Sequence, residues 1–548
     1  MPPRPARNRL QLGPIVGHTD DTSAKVWIQA FDDPQAYILR VAGGGSFPFR
    51  STENGVLEFC TGVARAEGLR SDRSYRYSVV RDGRRVTGAT GTFRTMPEPS
   101  SPAPIVFCAI SCNKLATDGA WKALRQFIED AQPAFLLLMG DQVYIDEDEP
   151  NVFEKHYGSD ARTRRRALAE KYRLSWDREA VRWIFANLPT YMIWDDHESR
   201  DGWGSLASDS RTLLPLYPRG ARIFARARAF FEDCRDVYWH FQGCRNPLQD
   251  DIPDPTLPNY IVGSPAAGAS RAMPFVFRCG RVAILVLDSR GERDVFRKEL
   301  PILGAEQWQF IDLVLENLRA DIDAIAIVTP TPIASLDPEG QSQRLVGGRT
   351  DDVEAFRRGD ENGVLNPDSS AGPVALVKAT IGARLSRTTG WAINLGNFKV
   401  SNIDEARDQW AHALSRPEQR QLLMKAARAR FTNRTGPIGR ELIFLSGDIH
   451  IGCIFDIAMS DPAYTAVSLT SSGISAKEEA PASLFVGSFI DEDFEVTDGI
   501  RSTLREVVPD YNFGVVQILP TGLGAEVTVH LAHKGNAFAA GMDISGVI

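Results

Sequence analysis

The sequence predicts an α+β protein of more than one domain, in which a β-sandwich precedes a larger domain of alternating strands and helices. Three observations support this prediction. The chain has 548 residues, which is too many for one ordinary hydrophobic core. Residues 8–97 have the alternation and turn signals of strands, whereas strand-length apolar runs and helical segments alternate over residues 103–548. Between the two lies the Pro- and Ser-rich segment 97–102, which has the composition of a linker.

The composition is that of a globular protein, with 43% hydrophobic and 24% charged residues. The net charge of −8 argues against nucleic-acid binding, and we expect no sequence-specific contact with nucleic acid. No apolar run has the length of a membrane span, and the first ten residues lack an apolar signal region. We therefore expect a cytoplasmic protein, or a periplasmic or secreted one if a leader was removed. The oligomeric state stays open.

The amino-terminal domain, residues 8–97, reads as a small β-sandwich. Residues 25–28 follow a turn-rich segment, residues 75–79 alternate with period two, and Asp82-Gly83 is a hairpin turn pair. Leu69 and Tyr75, six residues apart, resemble the tyrosine corner of fibronectin III/Ig-like domains. We interpret this domain as a packing module for the next domain, with carbohydrate or partner binding as the alternative.

The second domain, residues 103–548, alternates strands with helices. Apolar runs predict strands at 105–110, 134–139, 191–194, 282–287, 324–328 and 441–445. Helical patterns lie between them at 121–128, 162–187, 223–239, 304–308 and 417–430. Three further strands are predicted in the tail, at 465–470, 513–518 and 526–531. Residues 333–400 fit no element, and we interpret them as an insertion.

The seven cysteines are an odd number without zinc-type paired spacing, so a disulfide framework is not expected. Most of them are expected to be small buried side chains. Cys112 is different because it follows the predicted strand 105–110.

Four predicted strands end in side chains that bind metals. Cys112 follows one strand, and the other three strands are followed by Asp141 with Tyr144, by Asp195, Asp196 and His197, and by Asp448 with His450. The carboxyl ends of strands in an α/β sheet form the edge where ligands bind. Because residues two apart in an extended segment share a face, Asp448 and His450 are expected to point to the same place.

This set of ligand types predicts a pair of metal ions that hydrolyses a phosphate ester. An aspartate can bridge two cations, one of which supplies a metal-bound hydroxide for in-line attack. A phenolate from Tyr144 and a thiolate from Cys112 suit iron, and a carboxylate-rich site suits a hard divalent ion. His197 is the candidate general acid for the leaving group. Arg290, at the end of its own strand, is the candidate phosphate ligand.

Each candidate also has a structural interpretation. Cys112 is a possible packing residue, Tyr144 a possible rim aromatic, and Arg290 a possible partner of Asp288. The basic run at residues 162–166 is interpreted as a solvated helix face, with attraction of an anionic substrate as the alternative. The six histidines outside the strand ends are expected to be structural or exposed.

The order of these motifs resembles the PhoD-type alkaline phosphatase/phosphodiesterase family, a branch of the calcineurin-like metallophosphoesterases. The resemblance lies in Ser-Cys-Asn at 111–113, Gly-Asp-Gln-Val-Tyr at 140–144, Trp-Asp-Asp-His-Glu at 194–198, Leu-Asp-Ser-Arg at 287–290, Leu-Gly-Ala-Glu-Gln at 303–307 and Ser-Gly-Asp-Ile-His at 446–450. It implies a β-sandwich followed by a four-layer α/β/β/α metallophosphatase domain. The opening segments 13–18 and 22–27 also resemble the family's amino-terminal β-domain.

The resemblance also implies the site residues and metals. Cys112, Asp141 and Tyr144 match iron ligands, and Asp141 bridges to a calcium. Asp196 and Asp448 match the second metal region, and His450 matches the iron side. Asp195 is either a further ligand or a carboxylate that supports one. The implied metals are Fe3+ and Ca2+, with Zn2+ or Mn2+ possible instead.

One departure from the family pattern follows the Trp-Asp-Asp-His-Glu block. The family has Asn or Asp residues there, whereas this chain has Ser199-Arg200-Asp201-Gly202-Trp203. The resulting prediction is a metal-dependent phosphoesterase acting on small-molecule phosphate esters. The alternatives are a catalytically silent metal-containing binding protein and a metal-dependent hydrolase of another bond, such as a phosphotriester.

Overall fold

The structure is a computed structural model, and it describes residues 8–203, 221–248, 272–293, 301–334, 409–410, 415–477, 490–491, 493–521 and 524–533. Over these residues the strands form four sheets. Two sheets belong to the amino-terminal region, and two larger sheets lie in the rest of the chain.

The amino-terminal strands form two four-stranded sheets with the orders β1-β2-β6-β5 and β4-β3-β7-β8. These strands are β1 Leu12–Thr19, β2 Ala24–Gln29, β3 Tyr37–Val41, β4 Gly45–Pro48, β5 Arg50–Ser51, β6 Thr61–Ala66, β7 Ser74–Arg81 and β8 Arg84–Arg94. The Tyr75 hydroxyl accepts a hydrogen bond of 2.8 Å from the Arg70 backbone N–H, which is the predicted tyrosine corner. Asp82 and Gly83 both have positive φ, 46° and 76°, as a tight hairpin turn requires.

A five-stranded sheet with the order β11-β10-β9-β20-β21 follows. It consists of β9 Ile105–Ile110, β10 Leu136–Met139, β11 Thr190–Ile193, β20 Asn512–Pro520 and β21 Ala525–His533. Strands β9, β10 and β11 are parallel, and β20 pairs with β9 in the antiparallel direction. The three parallel strands therefore end on the same edge of the sheet.

An eight-stranded sheet has the order β12-β13-β14-β15-β17-β16-β19-β18. Its strands are β12 Phe275–Cys279, β13 Val282–Val286, β14 Ala324–Val328, β15 Glu441–Ser446, β16 Gly452–Ser460, β17 Ala463–Thr470, β18 Asp493–Thr497 and β19 Ile500–Val508. Strands β13, β14, β15 and β17 are parallel to one another.

The helices are α1 Trp121–Ala131, α2 Val152–His156, α3 Ala161–Trp176, α4 Glu179–Asn187, α5 Ala221–Phe241, α6 Gly304–Glu316 and α7 Arg416–Ala429. Alternate residues of β13 show how the layers are arranged. Ile284 faces the first sheet, in one core with Phe135 and Phe277, whose rings are 5.2 Å apart. Leu285 faces the opposite side and packs in a second core with Phe310 of α6 and with residues of α7. The two large sheets therefore pack face to face, with helices covering their outer sides.

The β-sandwich is packed directly onto the rest of the molecule. Lys25 donates a hydrogen bond of 2.9 Å to the Asn246 carbonyl, and the Trp27 indole donates one of 2.9 Å to the His240 carbonyl. Arg165 of α3 forms an ion pair of 2.9 Å with Glu58. The basic run at 162–166 is therefore only partly a solvated face, because Arg164 and Arg165 both pair with acidic side chains.

The predicted elements recur in the structure with small shifts at their ends. The strand predicted at 324–328 has the same bounds, and the helical region predicted at 162–187 consists of two helices, α3 and α4. In the second domain, strands β12, β16, β18 and β19 were not predicted. Nearly all of the predicted insertion, residues 335–400, lies outside the described residues. No helix among the described residues has the length and apolar character needed to cross a membrane.

Candidate metal centre and active site

The carboxyl ends of parallel strands from both large sheets meet at one place. Cys112 follows β9, Asp141 follows β10, and Asp195 and Asp196 follow β11. From the other sheet, Asp448 and His450 follow β15. Their ligand atoms lie within 4.8 Å of one another in three overlapping groups. The structure thus brings together residues that are more than 300 positions apart in the chain.

Four of these residues have left-handed backbone conformations that side chains other than glycine rarely adopt. The φ angles are 62° at Cys112, 55° at Asp141, 76° at Asp448 and 58° at His450. Such conformations cost about 1–3 kcal/mol each and cluster at functional sites. The expectation of an extended Asp448–His450 segment was wrong, because the backbone turns sharply after β15. Both side chains nevertheless reach the site through this turn.

The first group consists of Cys112, Asp141 and His450, with Tyr144 at its edge. The Cys112 thiol lies 3.5 Å from Asp141 Oδ2, and the Tyr144 hydroxyl lies 3.3 Å from the same oxygen. Tyr144 Oη is 2.8 Å from His450 Nε2. Ser472 supports this group, since its hydroxyl lies 3.1 Å from the Cys112 sulfur and accepts the His450 backbone N–H.

The second group consists of Asp141, Asp195, Asp196 and Asp448. The first three are buried, and Asp448 is half-buried. Asp195 Oδ2 is buried without a hydrogen-bond partner among the described residues. A buried carboxylate oxygen without a donor is costly, and a cation would satisfy it.

The pKa values show the same accumulation of negative charge. Burial, together with the charges of Cys112 and Asp196, raises the pKa of Asp141 well above its usual value. Burial also raises the pKa of Asp195 well above its usual value, although Arg290 opposes this change. Metal ions would remove the repulsion and keep these groups ionised. The thiol, phenol, imidazole and carboxylates therefore fit a pair of metal ions that shares Asp141.

His197 forms the third group with Asp141 and Asp196, and it is held on three sides. Its Nδ1 is 2.8 Å from Asp146 Oδ1, and its ring lies on the Tyr144 ring with centroids 4.1 Å apart. Its backbone N–H donates to Asp141 Oδ1 at 3.2 Å. Burial lowers the pKa of His197, but Asp146, Asp196 and Asp141 outweigh that effect and raise it well above 6.5.

Arg290 is buried, with a side chain 1% exposed, and contacts the second group. Its Nε forms an ion pair with Asp195 Oδ1, and its Nη2 is 3.7 Å from Asp196 Oδ1. Its Nη1 donates to the Trp203 carbonyl at 2.9 Å. The Asp288 carboxylate accepts the backbone N–H groups of Met273, Arg290 and Gly291. It therefore fixes the loop that carries Arg290.

Glu198 was not among the predicted site residues, although it holds two strand ends together. Its carboxylate accepts the backbone N–H groups of Asp141, Gln142 and Asp195 at 2.9, 2.8 and 3.0 Å. Gln242, the residue after α5, donates to it at 2.9 Å. Burial raises the pKa of Glu198 to about 7, against the lowering effect of these hydrogen bonds. Its contacts go to the backbone, which no side-chain pattern in the sequence reveals.

Asp146 was also missed, although the sequence offered a signal. It is the second carboxylate in the segment that follows β10, and it accepts from both His197 and the Asp201 backbone N–H. The unusual continuation 199–203 takes part in the same arrangement. The Gly202 N–H donates to Asp196 Oδ2 at 2.6 Å, and the Trp203 carbonyl accepts from Arg290. This segment therefore orients Asp146, Asp196 and Arg290 through its backbone.

The family of the chain follows from its sequence. A family model described as "PhoD-like phosphatase" matches residues 107–513, which is most of the chain and includes every residue of the centre. The chain belongs to the PhoD-like phosphatase family. It is a phosphoester hydrolase, and the predicted family resemblance is confirmed. Residues 7–99 match a separate family model, a domain of unknown function (DUF7800).

Solved structures show the likeness in fold. The structure titled "Structure of PhoD" superposes with a TM-score of 0.55 at 13% sequence identity, and the match covers 98% of this chain and 95% of that one. This likeness confirms the predicted fold class, a β-sandwich followed by a metallophosphatase domain. A purple acid phosphatase, PPD1 from yellow lupin (Lupinus luteus) seeds, superposes with a TM-score of 0.47 at 10% identity, covering 96% of this chain and 72% of that one. No curated protein sequence matches the chain.

Proposed function

We propose that two metal ions bind side by side in this phosphoesterase and share the carboxylate of Asp141. Cys112, Asp141, Tyr144 and His450 would hold the first ion. Asp141, Asp195, Asp196 and Asp448 would hold the second. The observation that carries the proposal is the position of Asp141, which belongs to all three groups of closely spaced ligand atoms. When bound, the two ions neutralise the charge of the phosphate group and activate a water molecule.

We assign Fe3+ to the first site and Ca2+ to the second. A thiolate and a phenolate are strong anionic donors, which suit a trivalent ion. The second group offers only carboxylates, which are the oxygen ligands that calcium prefers. Zn2+ or Mn2+ in place of either ion is the alternative. The chemistry of the donors supports this assignment, together with the family's implied metals.

His197 is proposed as the general acid that protonates the leaving oxygen of the ester. The hydrogen bond from Nδ1 to Asp146 fixes the ring and leaves Nε2 as the atom that would carry the transferred proton. Stacking on Tyr144 prevents the ring from turning away. Asp146 therefore acts as a positioning residue for His197.

Arg290 is proposed to balance the charges of Asp195 and Asp196, since both carboxylates lie within ion-pair distance of its guanidinium. Its predicted contact with the substrate phosphate stays a prediction. The two roles are separable by kinetics. Loss of phosphate binding in Arg290→Lys would raise KM, whereas loss of metal positioning would lower kcat.

Metal analysis of the purified protein, combined with its visible spectrum, tests the assignment. We expect iron and calcium near one equivalent each, and a broad tyrosinate-to-iron absorption band that disappears in Tyr144→Phe. Asp141→Asn should lose both metals and reduce turnover of aryl phosphates by more than about 1,000-fold, because it removes the shared ligand. Asp130→Asn, an exposed position on α1, is the charge-matched control. Full metal content and activity in Asp141→Asn would refute the shared site.

A further inference from the structure

A wide groove lies on the outer face of the sheet β4-β3-β7-β8, and none of the residues that line it is a proposed metal ligand. Its volume is about 920 Å³. Arg40, Arg76 and Arg85 line it, and Trp183 and Asn187 of α4 form one of its walls. We name this feature the arginine groove. It spans the boundary between the β-sandwich and the catalytic region, since two of its walls come from different parts of the chain.

The three arginines of the groove have no acidic partner among the described residues. Of the residues that the structure describes, no Asp or Glu lines the groove. Some other arginines of the β-sandwich are paired, as Arg81 is with Asp32 and Arg94 with Asp72. The chain as a whole carries a net charge of −8, so the groove is positively charged in a protein that is negatively charged overall. Three guanidinium groups in one groove repel one another unless an anion lies between them.

The register of the sheet places the arginines on three neighbouring strands, with β7 in the middle. Arg76 belongs to β7, Arg40 of β3 pairs with Ser78, and Arg85 of β8 pairs with Val80. Successive positions are offset by two residues along β7, about 6.5–7 Å, but they also lie on different strands, so the three arginines form a triangle across the sheet rather than a straight row. Hydroxyl groups of Ser78 and Thr90 line the same groove and supply further hydrogen-bond donors.

We propose that the arginine groove binds a linear polyanion whose phosphate or sulfate ester groups are spaced along its backbone. Guanidinium groups bind tetrahedral oxyanions with two parallel hydrogen bonds, and three of them in one groove favour a ligand with several such groups over a single anion. Charge complementarity and the presence of three guanidinium groups in one groove carry this proposal. It does not depend on the chemistry at the metal centre, because none of the groove residues belongs to that centre.

Binding of fluorescein-labelled dextran sulfate to the full-length protein tests the proposal. Dextran sulfate carries oxyanion esters on a linear backbone, and a phosphoesterase does not cleave its sulfates. We expect the triple variant Arg40→Thr/Arg76→Thr/Arg85→Thr to bind at least about tenfold more weakly, since each exposed ion pair contributes up to about fivefold. Threonine suits these exposed strand positions, so the variant is expected to fold. Its turnover of a small aryl phosphate should equal that of the wild type.

A charge-matched control separates a specific groove from general electrostatics. Arg50→Thr/Arg162→Gln/Arg166→Gln removes the same charge from exposed positions outside the groove. Wild-type affinity in this control supports the groove, and the affinity of the wild type should fall as salt screens the charges. Equal losses in both triple variants would overturn the proposal, as would equal binding of uncharged dextran. Loss of aryl phosphate turnover in the arginine triple variant would contradict the independence of the groove from the metal centre. A failure of the groove proposal and a failure of the proposed catalytic function are therefore distinguishable.

Discussion

Asp141 is the proposed shared metal ligand, and Glu198 holds the backbone of Asp141 in place. Asp141 offers one carboxylate to every group of ligand atoms, and it holds that position with a left-handed backbone. Glu198 stabilises this backbone by accepting the N–H groups of Asp141 and of the next residue. The same carboxylate accepts the N–H of Asp195. A single buried side chain therefore fixes the separation between the ends of β10 and β11, on which the metal ligands depend.

Asp146 permits a test of the general-acid role at the level of one residue. Asp146→Asn keeps a hydrogen bond to His197 but removes the charge that favours the protonated ring. We expect about a tenfold or larger loss of kcat for alkyl phosphates, whose leaving groups need a proton, and a smaller loss for nitrophenyl phosphate. His197→Ala should show the same preference with a larger effect. The measurement is the ratio of kcat values for the two substrates.

Glu149→Gln is the matched control for that experiment, because Glu149 is an exposed acid three residues away that pairs with Lys155. It should leave the substrate ratio unchanged. If Asp146→Asn slowed both substrates by the same factor, Asp146 would order the site rather than assist proton transfer.

At the level of elements, the centre depends on how closely the ends of β9 and β15 approach each other. A Cβ atom on Gly447, which follows β15, would lie 2.2 Å from Ser111 Oγ and 2.4 Å from Ser111 Cβ. Contacts this short do not occur, so glycine is required where the two sheets meet. Asp448 and His450 follow directly, and any shift of Gly447 moves both ligands.

Gly447→Ala is therefore expected to reduce kcat by about 100-fold, because a displacement near 1 Å in a catalytic group has an effect of that size. Iron and calcium contents should fall with it. Both quantities are measured on the purified protein, with the melting temperature recorded to show that the fold persists.

A second substitution tests whether the clash with Ser111 causes the loss of activity in Gly447→Ala. Ser111→Gly removes both clashing atoms and leaves the Met139 carbonyl at 3.1 Å as the next contact. The double variant should recover part of the activity lost in Gly447→Ala, relative to Ser111→Gly alone. If the double variant were no more active than Gly447→Ala, the clash would not be the cause of the loss.

The elements also show what the sequence can and cannot predict. The strand ends that carry Asp141, Asp195 and Asp448 were predictable, because an apolar run that stops at a carboxylate is a local pattern. The left-handed turn that presents Asp448 and His450 was not predictable, since tertiary contacts impose it against the local preference. Glu198 was not predicted as a site residue for a related reason. Its three backbone partners follow two different strands, and only the folded sheet brings them together.

At the scale of the whole molecule, the β-sandwich is fixed to the catalytic region by close contacts. A Cβ atom on Gly91 would lie 2.0 Å from the Ala186 carbonyl, and one on Gly17 would lie 2.7 Å from the Arg245 carbonyl. The Tyr77 hydroxyl donates to the Ala186 carbonyl at 2.8 Å. These contacts agree with the interpretation of the sandwich as a packing module, which the sequence favoured. The arginine groove adds the alternative that the sequence also held open, a ligand-binding face.

His240 makes this contact surface sensitive to acid. It lies on α5 against the β-sandwich, with Nδ1 2.8 Å from Thr52 Oγ1 and its ring 5.0 Å from that of Phe59. Burial, and then the positive charge of Arg165, lower the pKa of His240 from 6.5 to about 4. Asp236, which is 3.8 Å from Nε2, also lies near Arg165, at 3.7 Å. The acid that faces His240 is therefore partly neutralised.

The sign of the pH effect follows from the lowered pKa. Between about pH 6.5 and pH 4 the unfolded chain binds a proton at His240 that the folded protein does not. The free energy of unfolding therefore decreases as the pH is lowered. This linkage removes about 2 kcal/mol from the free energy of unfolding between pH 7.5 and pH 5. His240→Asn keeps a partner for Thr52 without the titration. The urea unfolding midpoints of the wild type and of His240→Asn should differ little at pH 7.5. At pH 5 the midpoint of the variant should be higher relative to that of the wild type. A constant difference across this range would mean that His240 titrates normally and that another group makes the packed surface sensitive to acid.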